Sequence, residues 1–119
     1  MNVLYIEDDV DVAHAVMDAL QAEQTAGYQF THTYDAETAW SKLQDQQFDL
    51  ILTDLNLPNM TGLELIQKTR ETFPDSKIVG LSGFIEPDEV DRIKLLGADL
   101  VLLKPITPAE LDQALRSLG

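Results

Sequence analysis

The amino-acid sequence predicts an α/β fold, a doubly wound five-stranded parallel sheet with a helix following each strand. Two observations lead to this expectation. Four short apolar runs, Val3–Ile6, Leu50–Thr53, Ile78–Leu81 and Leu100–Leu103, are nearly unbroken, as in strands buried on both faces of a parallel sheet. The segments between and after them carry apolar residues at helical spacing. Strand–helix alternation with right-handed crossovers places helices on both faces of such a sheet.

Each element can be justified in turn. After Val3-Leu4-Tyr5-Ile6, the residues Ala13, Val16, Met17 and Leu20 fall at i, i+3, i+4 and i+7, and Asp9 is placed to cap that helix. Tyr28–Tyr34 alternates apolar and polar side chains, the pattern of a half-exposed strand at a sheet edge. Ala36, Ala39, Trp40 and Leu43 mark the second helix. Leu63 and Ile66 mark a third that stops near Pro74, and Val90, Ile93 and Lys94 a fourth that stops at Gly97. Leu111, Ala114, Leu115 and Leu118 mark the last. The order is (βα)5, and the expected strand order 2-1-3-4-5, a flavodoxin-like arrangement, puts the alternating strand at an edge. Ligands in such sheets bind outside the carboxyl ends of the strands, at the switch point between strands 1 and 3. With no linker or repeat in view, residues 1–119 read as one domain that begins in a strand and ends with a helix.

Composition narrows the function. A chain of 119 residues with 45% apolar content fits one globular domain. The absence of cysteine rules out disulfides and thiolate zinc sites. The start, Met-Asn-Val-Leu-Tyr-Ile, has no basic run before its apolar stretch, unlike a secretory signal. No apolar run approaches the roughly 20 residues of a bilayer span. A cytoplasmic location is expected. Twenty-one acids against eight bases give a net charge of −13, with no basic patch to engage nucleic acid or an anionic membrane. Neither is expected as a partner.

The residues at the strand ends are the informative ones. Strand 1 ends in Glu7-Asp8-Asp9, strand 3 in Asp54, strand 4 in Ser82 and strand 5 in Lys104. The fold brings all four ends to one edge. Two carboxylates about 4 Å apart repel by about 4 kcal/mol at an intermediate dielectric. A hard divalent cation held by oxygen ligands compensates, and Mg2+ suits a site with few protein ligands and a bound phosphate. A lysine opposite the acids adds positive charge, and a serine offers a hydroxyl donor. Metal, ammonium and hydroxyl around one carboxylate are the groups required for phosphoryl transfer to that carboxylate. Singly, each residue has an ordinary reading: Asp9 as a helix cap, Asp54 as a turn residue before Pro58 and Gly62, Ser82-Gly83 as a loop, and Lys104-Pro105 as a strand terminus. Their joint occurrence at four strand ends is what points to chemistry.

These residues also carry a resemblance that runs the length of the chain. Leu4-Tyr5-Ile6-Glu7-Asp8-Asp9, Asp49–Pro58 around Asp54, Gly62-Leu63-Glu64-Leu65, Leu81-Ser82-Gly83, and Gly97-Ala98-Asp99 leading to Lys104-Pro105 resemble the motifs of receiver domains of two-component response regulators. The resemblance implies that Asp54 accepts a phosphoryl group from a histidine kinase or histidine phosphotransfer protein. It implies that Asp8, Asp54 and the backbone carbonyl of Asn56 bind Mg2+ or another divalent cation, with Glu7 assisting through a bound water. Ser82 and Lys104 would hold the phosphoryl oxygens, and the Lys104–Pro105 bond would be cis. The domain would act as a phosphoacceptor switch rather than an enzyme, signalling to an effector domain, an effector protein or a homodimer partner. Two positions depart from the pattern. Val101 stands where the family commonly carries an aromatic residue on strand 5, and Thr61 precedes Gly62 where aspartate is frequent.

Rival readings are weaker. A phosphatase of the haloacid-dehalogenase type needs a general acid two residues after its nucleophile, where this chain has Asn56. A flavin mononucleotide binder needs a phosphate loop after strand 1, where this chain has three acids. A receiver that is never phosphorylated would not need the full acceptor set found here. His14 and His32 are expected at surface or edge positions, and Trp40 in the core.

Overall fold

The computed structural model describes residues 2–21, 27–57, 60–84 and 86–118. Pro58 and the chain ends Met1 and Gly119 lie outside the described residues. Five strands alternate with five helices: β1 (Asn2–Ile6), α1 (Val10–Gln21), β2 (Gln29–Thr33), α2 (Ala36–Asp45), β3 (Leu50–Asp54), α3 (Gly62–Thr72), β4 (Ile78–Ser82), α4 (Pro87–Leu96), β5 (Leu100–Leu103) and α5 (Pro108–Leu118). The strands form one sheet in the order β2-β1-β3-β4-β5, and every neighbouring pair is parallel. This is the order expected from the sequence.

Strand alternation divides the core into two layers. On one face, Leu4, Ile6, Ile51 and Ile78 pack with Ala36, Ala39 and Leu43 of α2, Leu65 and Ile66 of α3 and Ile93 of α4. On the other, Val3, Tyr5, Leu50, Leu52, Val79 and Leu81 pack with Ala13, Val16 and Leu20 of α1 and Leu111 of α5. Every residue of β3 and β4 is buried, as their apolarity predicts for central strands.

The run Leu100–Leu103 behaves differently from that expectation. Leu100, Val101 and Leu102 are only partly buried and Leu103 is 52% exposed. The reason is topological: β5 pairs with β4 alone and closes the sheet as its second edge. Sequence apolarity does not distinguish a strand with two neighbours from a strand with one.

Helices α1, α2 and α3 start at side-chain caps. Asp9 Oδ1 accepts the amides of Asp11 and Val12, both at 3.1 Å, so Asp9 caps α1 as its position suggests. Asp35 Oδ1 accepts the Thr38 amide at 2.6 Å at the head of α2, and that hydrogen bond holds the Asp35 carboxyl below its ordinary pKa. Thr61 Oγ1 accepts the Glu64 amide at 3.2 Å, so the threonine before Gly62 serves as the cap of α3.

Two glycines are required by close approach. A Cβ on Gly62 would stand 2.0 Å from the carbonyl oxygen of Asp54, so the start of α3 lies directly against the end of β3. Gly97 ends α4 at φ 137°, and a Cβ there would also meet Arg70 Cβ at 2.7 Å. Arg70 Nε donates to the Gly97 carbonyl at 2.9 Å and its Nη2 pairs with Asp99 at 2.7 Å. Asp99 also accepts the Ile78 amide at 2.8 Å. The Gly97-Ala98-Asp99 motif thus anchors the starts of β4 and β5, far from the acid-bearing strand ends.

Gly62→Ala should destabilise the fold by about 2 kcal/mol or more, because the obstructing atoms are backbone and cannot rotate away. Gly83→Ala, where nothing lies within 4 Å of the added carbon, should change stability by less than about 0.5 kcal/mol. Urea denaturation of the two variants measures the contrast, and equal losses would show that the contact at Asp54 relaxes freely.

Candidate functional site

Strand register brings the predicted residues together. β1 pairs with β3 through Ile6↔Thr53, β3 with β4 through Asp54↔Leu81, and β4 with β5 through Ser82↔Leu103. Backbone bonds carry the ladder one step further: Glu7 N–H to Thr33 O at 3.1 Å, Leu55 N–H to Leu81 O at 2.9 Å, and Lys104 N–H to Ser82 O at 2.8 Å. Glu7, Asp54, Ser82 and Lys104 therefore occupy the same carboxyl edge. Glu7, Asp54 and Ser82 are buried, whereas Asp8 and Asn56 are exposed.

At the centre is an ammonium between two carboxylates. Lys104 Nζ donates to Glu7 Oε1 at 2.5 Å and to Asp54 Oδ2 at 2.8 Å. The remaining oxygens receive backbone donors: Asp54 Oδ1 accepts the Asn56 amide at 3.0 Å and Glu7 Oε2 the Asp9 amide at 3.3 Å. Burial raises the Glu7 pKa to about 7; the hydrogen bond from Lys104 restrains that rise, and the neighbouring Asp54 charge adds to it. Burial alone would lower the Lys104 pKa, but its bonds to Asp54 and Glu7 outweigh that and raise it. The Lys104–Pro105 peptide is cis.

Glu7, Asp8 and Asp54 each offer an oxygen within 4.8 Å of the others. Three carboxylates with one lysine leave the cluster short of positive charge, and an all-oxygen donor set fits a hard divalent cation. The Tyr5 hydroxyl, two residues before Glu7 on the same face of β1, is buried without a hydrogen-bond partner among the described residues. Burial and the nearby Glu7 and Asp54 charges raise its pKa and keep it protonated.

Ser82 reaches the right edge but is otherwise engaged. Its hydroxyl donates to the Phe84 carbonyl at 2.7 Å and accepts the Phe84 amide at 3.3 Å, and the Phe84 side chain is 76% exposed. Val101 is partly buried against the core beside its register partner Gly80. His14 is exposed. His32 does lie on an edge strand, yet its ring turns inward and Nε2 meets the Glu7 carbonyl at 2.9 Å. The sequence carries no signal for that contact, because it depends on which strand lies beside β1. Trp40 is partly buried, with Phe73 at 6.0 Å and Lys68 Nζ 4.6 Å above its ring, a packing role rather than a ligand stack.

The structure is thus a doubly wound domain with buried acids, a lysine and a serine gathered on its carboxyl edge. The comparisons with known proteins give the family. Residues 3–116 match the model of the response regulator receiver domain, and the chain belongs to that family. Response regulator receiver protein CpdR of Brucella abortus is 39% identical over 83 residues, covering 70% of this chain and 67% of CpdR. Response regulator RppA of Synechocystis is 34% identical over 122 residues, covering 99% of this chain and 50% of RppA. The chain thus spans half that relative's length. Among solved structures, the chemotaxis response regulator CheY4 of Vibrio cholerae matches with a TM-score of 0.85 at 30% identity, covering 99% of this chain and 98% of that one. Receiver domains bind Mg2+ through an acidic pocket, and the Glu7, Asp8 and Asp54 cluster has that form.

The raised Glu7 pKa sets a pH dependence for the metal-free protein. From the ordinary value of 4.5 up to about 7, folded Glu7 keeps a proton that the unfolded chain has lost. Its stabilising contribution is fully present below the lower value and is lost as pH rises through the upper one. Glu7→Gln mimics the protonated form, so in chelator it should match the wild type near pH 4.5 and melt a few degrees higher at pH 8. Melting curves across that range measure the difference, and a gap that does not change with pH would contradict the assignment.

Proposed function

We propose that residues 1–119 form one receiver unit in which Asp54 takes a phosphoryl group from a phosphohistidine of a kinase or phosphotransfer protein. The observation that carries this reading is the Asp54 carboxylate, buried at the end of β3, with Lys104 on one oxygen and the Asn56 amide on the other. Both donors fix its orientation. An Asp54 oxygen attacks phosphorus as the bond to the histidine nitrogen breaks, giving an acyl phosphate; the leaving imidazole keeps the electron pair and takes a proton. Water attacking the same phosphorus later returns the carboxylate and releases inorganic phosphate.

Glu7, Asp8, Asp54 and the Asn56 carbonyl would hold Mg2+, which when bound supplies charge neutralisation for the transferring phosphoryl oxygens. Lys104 would exchange part of its contact with Asp54 for a phosphoryl oxygen. Ser82 would release Phe84 and donate to another, so the loop it holds should move. Val101 has no ring to reorient, and the readout then falls on this loop and α4. This is a signalling role rather than turnover of a substrate. None of the helices described is long and apolar enough to cross a membrane, and the proposed setting is the cytoplasm.

Incubation with acetyl phosphate and Mg2+ should add the mass of one phosphoryl group to the wild type. Nothing should be added in chelator, and nothing to Asp54→Asn. Ser82→Ala should still accept phosphate while losing the amide shifts that a beryllium fluoride mimic induces in residues 83, 84 and 86–96. Phosphate gained by Asp54→Asn would refute the acceptor assignment.

A further inference from the structure

We propose that His32 is a positioning residue for the acidic pocket, its imidazole fixing from the edge strand the peptide at which β1 gives way to Glu7-Asp8-Asp9. The inference rests on reading Glu7 and Asp8 as part of a cation pocket. β1 and β2 pair in register through Ile6↔Thr33, where β2 stops. The Glu7 amide still finds the Thr33 carbonyl at 3.1 Å. The Glu7 carbonyl takes a side chain as its partner instead, His32 Nε2 at 2.9 Å. A carbonyl can only accept, so Nε2 carries the hydrogen and the tautomer is fixed.

The ring is itself held in place. Tyr5, the register partner of His32, lies 5.7 Å away at 35°. Tyr34 meets the ring edge-on at 4.5 Å and 64°. Glu7 is thus gripped by β2 through both its N–H and its C=O. Its carbonyl belongs to the peptide plane that leads into Asp8. The Asp8 side chain is exposed and makes no hydrogen bond to another described residue. Its direction is therefore set by the backbone that His32 holds, whereas Glu7 and Asp54 are also held by Lys104. Removing the imidazole donor should release Asp8 first.

Two variants separate the donor from the ring. His32→Phe keeps an aromatic ring between Tyr5 and Tyr34 and removes the donor. His32→Gln restores an N–H at similar reach. Mg2+ titration by calorimetry should show affinity weakened roughly tenfold in the Phe variant, as for loss of a group that orients a ligand, and largely recovered in the Gln variant. Phosphorylation by acetyl phosphate should return to the wild-type rate in both at saturating Mg2+. Without metal, the Glu7 carbonyl carbon and Asp8 amide shifts should move in the Phe variant and return in the Gln variant. The wild-type ring nitrogens, read directly by NMR, should show hydrogen on Nε2. Unchanged Mg2+ affinity and Glu7 shifts in His32→Phe, or hydrogen on Nδ1 alone in the wild type, would overturn the inference while leaving the pocket reading intact. A wild type that binds no Mg2+ would refute the pocket reading, and the metal-free shifts would still decide whether His32 fixes the Glu7 peptide.

Discussion

Two carboxylates, those of Glu7 and Asp54, are buried side by side at the edge of the sheet, and the ammonium of Lys104 lies between them. Burying like charges together is unfavourable, and a lysine shared between two acids offsets only part of the cost. With Asp8 included, three acids face one base. The other features of this edge accompany that burial and imbalance: burial, with the Asp54 charge adding to it, makes Glu7 hold its proton more tightly than an ordinary glutamate, backbone amides from Asn56 and Asp9 donate to the carboxylates, and the all-oxygen donor set suits a divalent cation. The deficit of positive charge is what the proposed metal and the phosphoryl group arriving with it would draw on.

The fold is arranged around this edge. Parallel pairing sends every strand out of the same side, so one polar residue at each end is enough to assemble a site from positions distant in sequence. Glu7 and Lys104 lie 97 residues apart and touch. Gly62 lets α3 begin against the carbonyl of Asp54, while the Arg70–Asp99 anchor secures the starts of β4 and β5. The sheet thereby carries the proposed acceptor Asp54, and the Ser82 loop, held through Phe84, is the component that would gain an alternative partner once phosphate is present.

Much of this was legible in the chain itself. Strand and helix order, the 2-1-3-4-5 sheet and the clustering of Glu7, Asp8, Asp54 and Lys104 follow from apolar runs that each stop at a polar residue. The Asp9 cap was legible because capping is local. What was not legible depends on neighbours that sequence periodicity does not name. The exposure of Leu103 reflects its place on an edge strand beside β4, the inward turn of His32 reflects β2 lying beside β1, and the need for glycine at position 62 reflects the Asp54 carbonyl oxygen, which an added Cβ would meet at 2.0 Å. Ser82 was placed correctly on the edge, but its hydrogen bonds to Phe84 arise from loop geometry that its residue type does not reveal.

Thermal melting of the wild type and Asp8→Asn, each with chelator and with Mg2+, shows whether the acid cluster is a cation site strained by its own charge. A cation that binds only the folded state stabilises it by about 2.7 kcal/mol at a hundredfold excess over its Kd. Millimolar Mg2+ should clearly raise the wild-type melting temperature. Asp8→Asn, which loses a proposed ligand and a repelling charge together, should melt higher than the wild type in chelator and respond less to the metal. A wild type whose melting temperature is unmoved by Mg2+, or a metal-free Asp8→Asn that is less stable, would show that the cluster is not such a site.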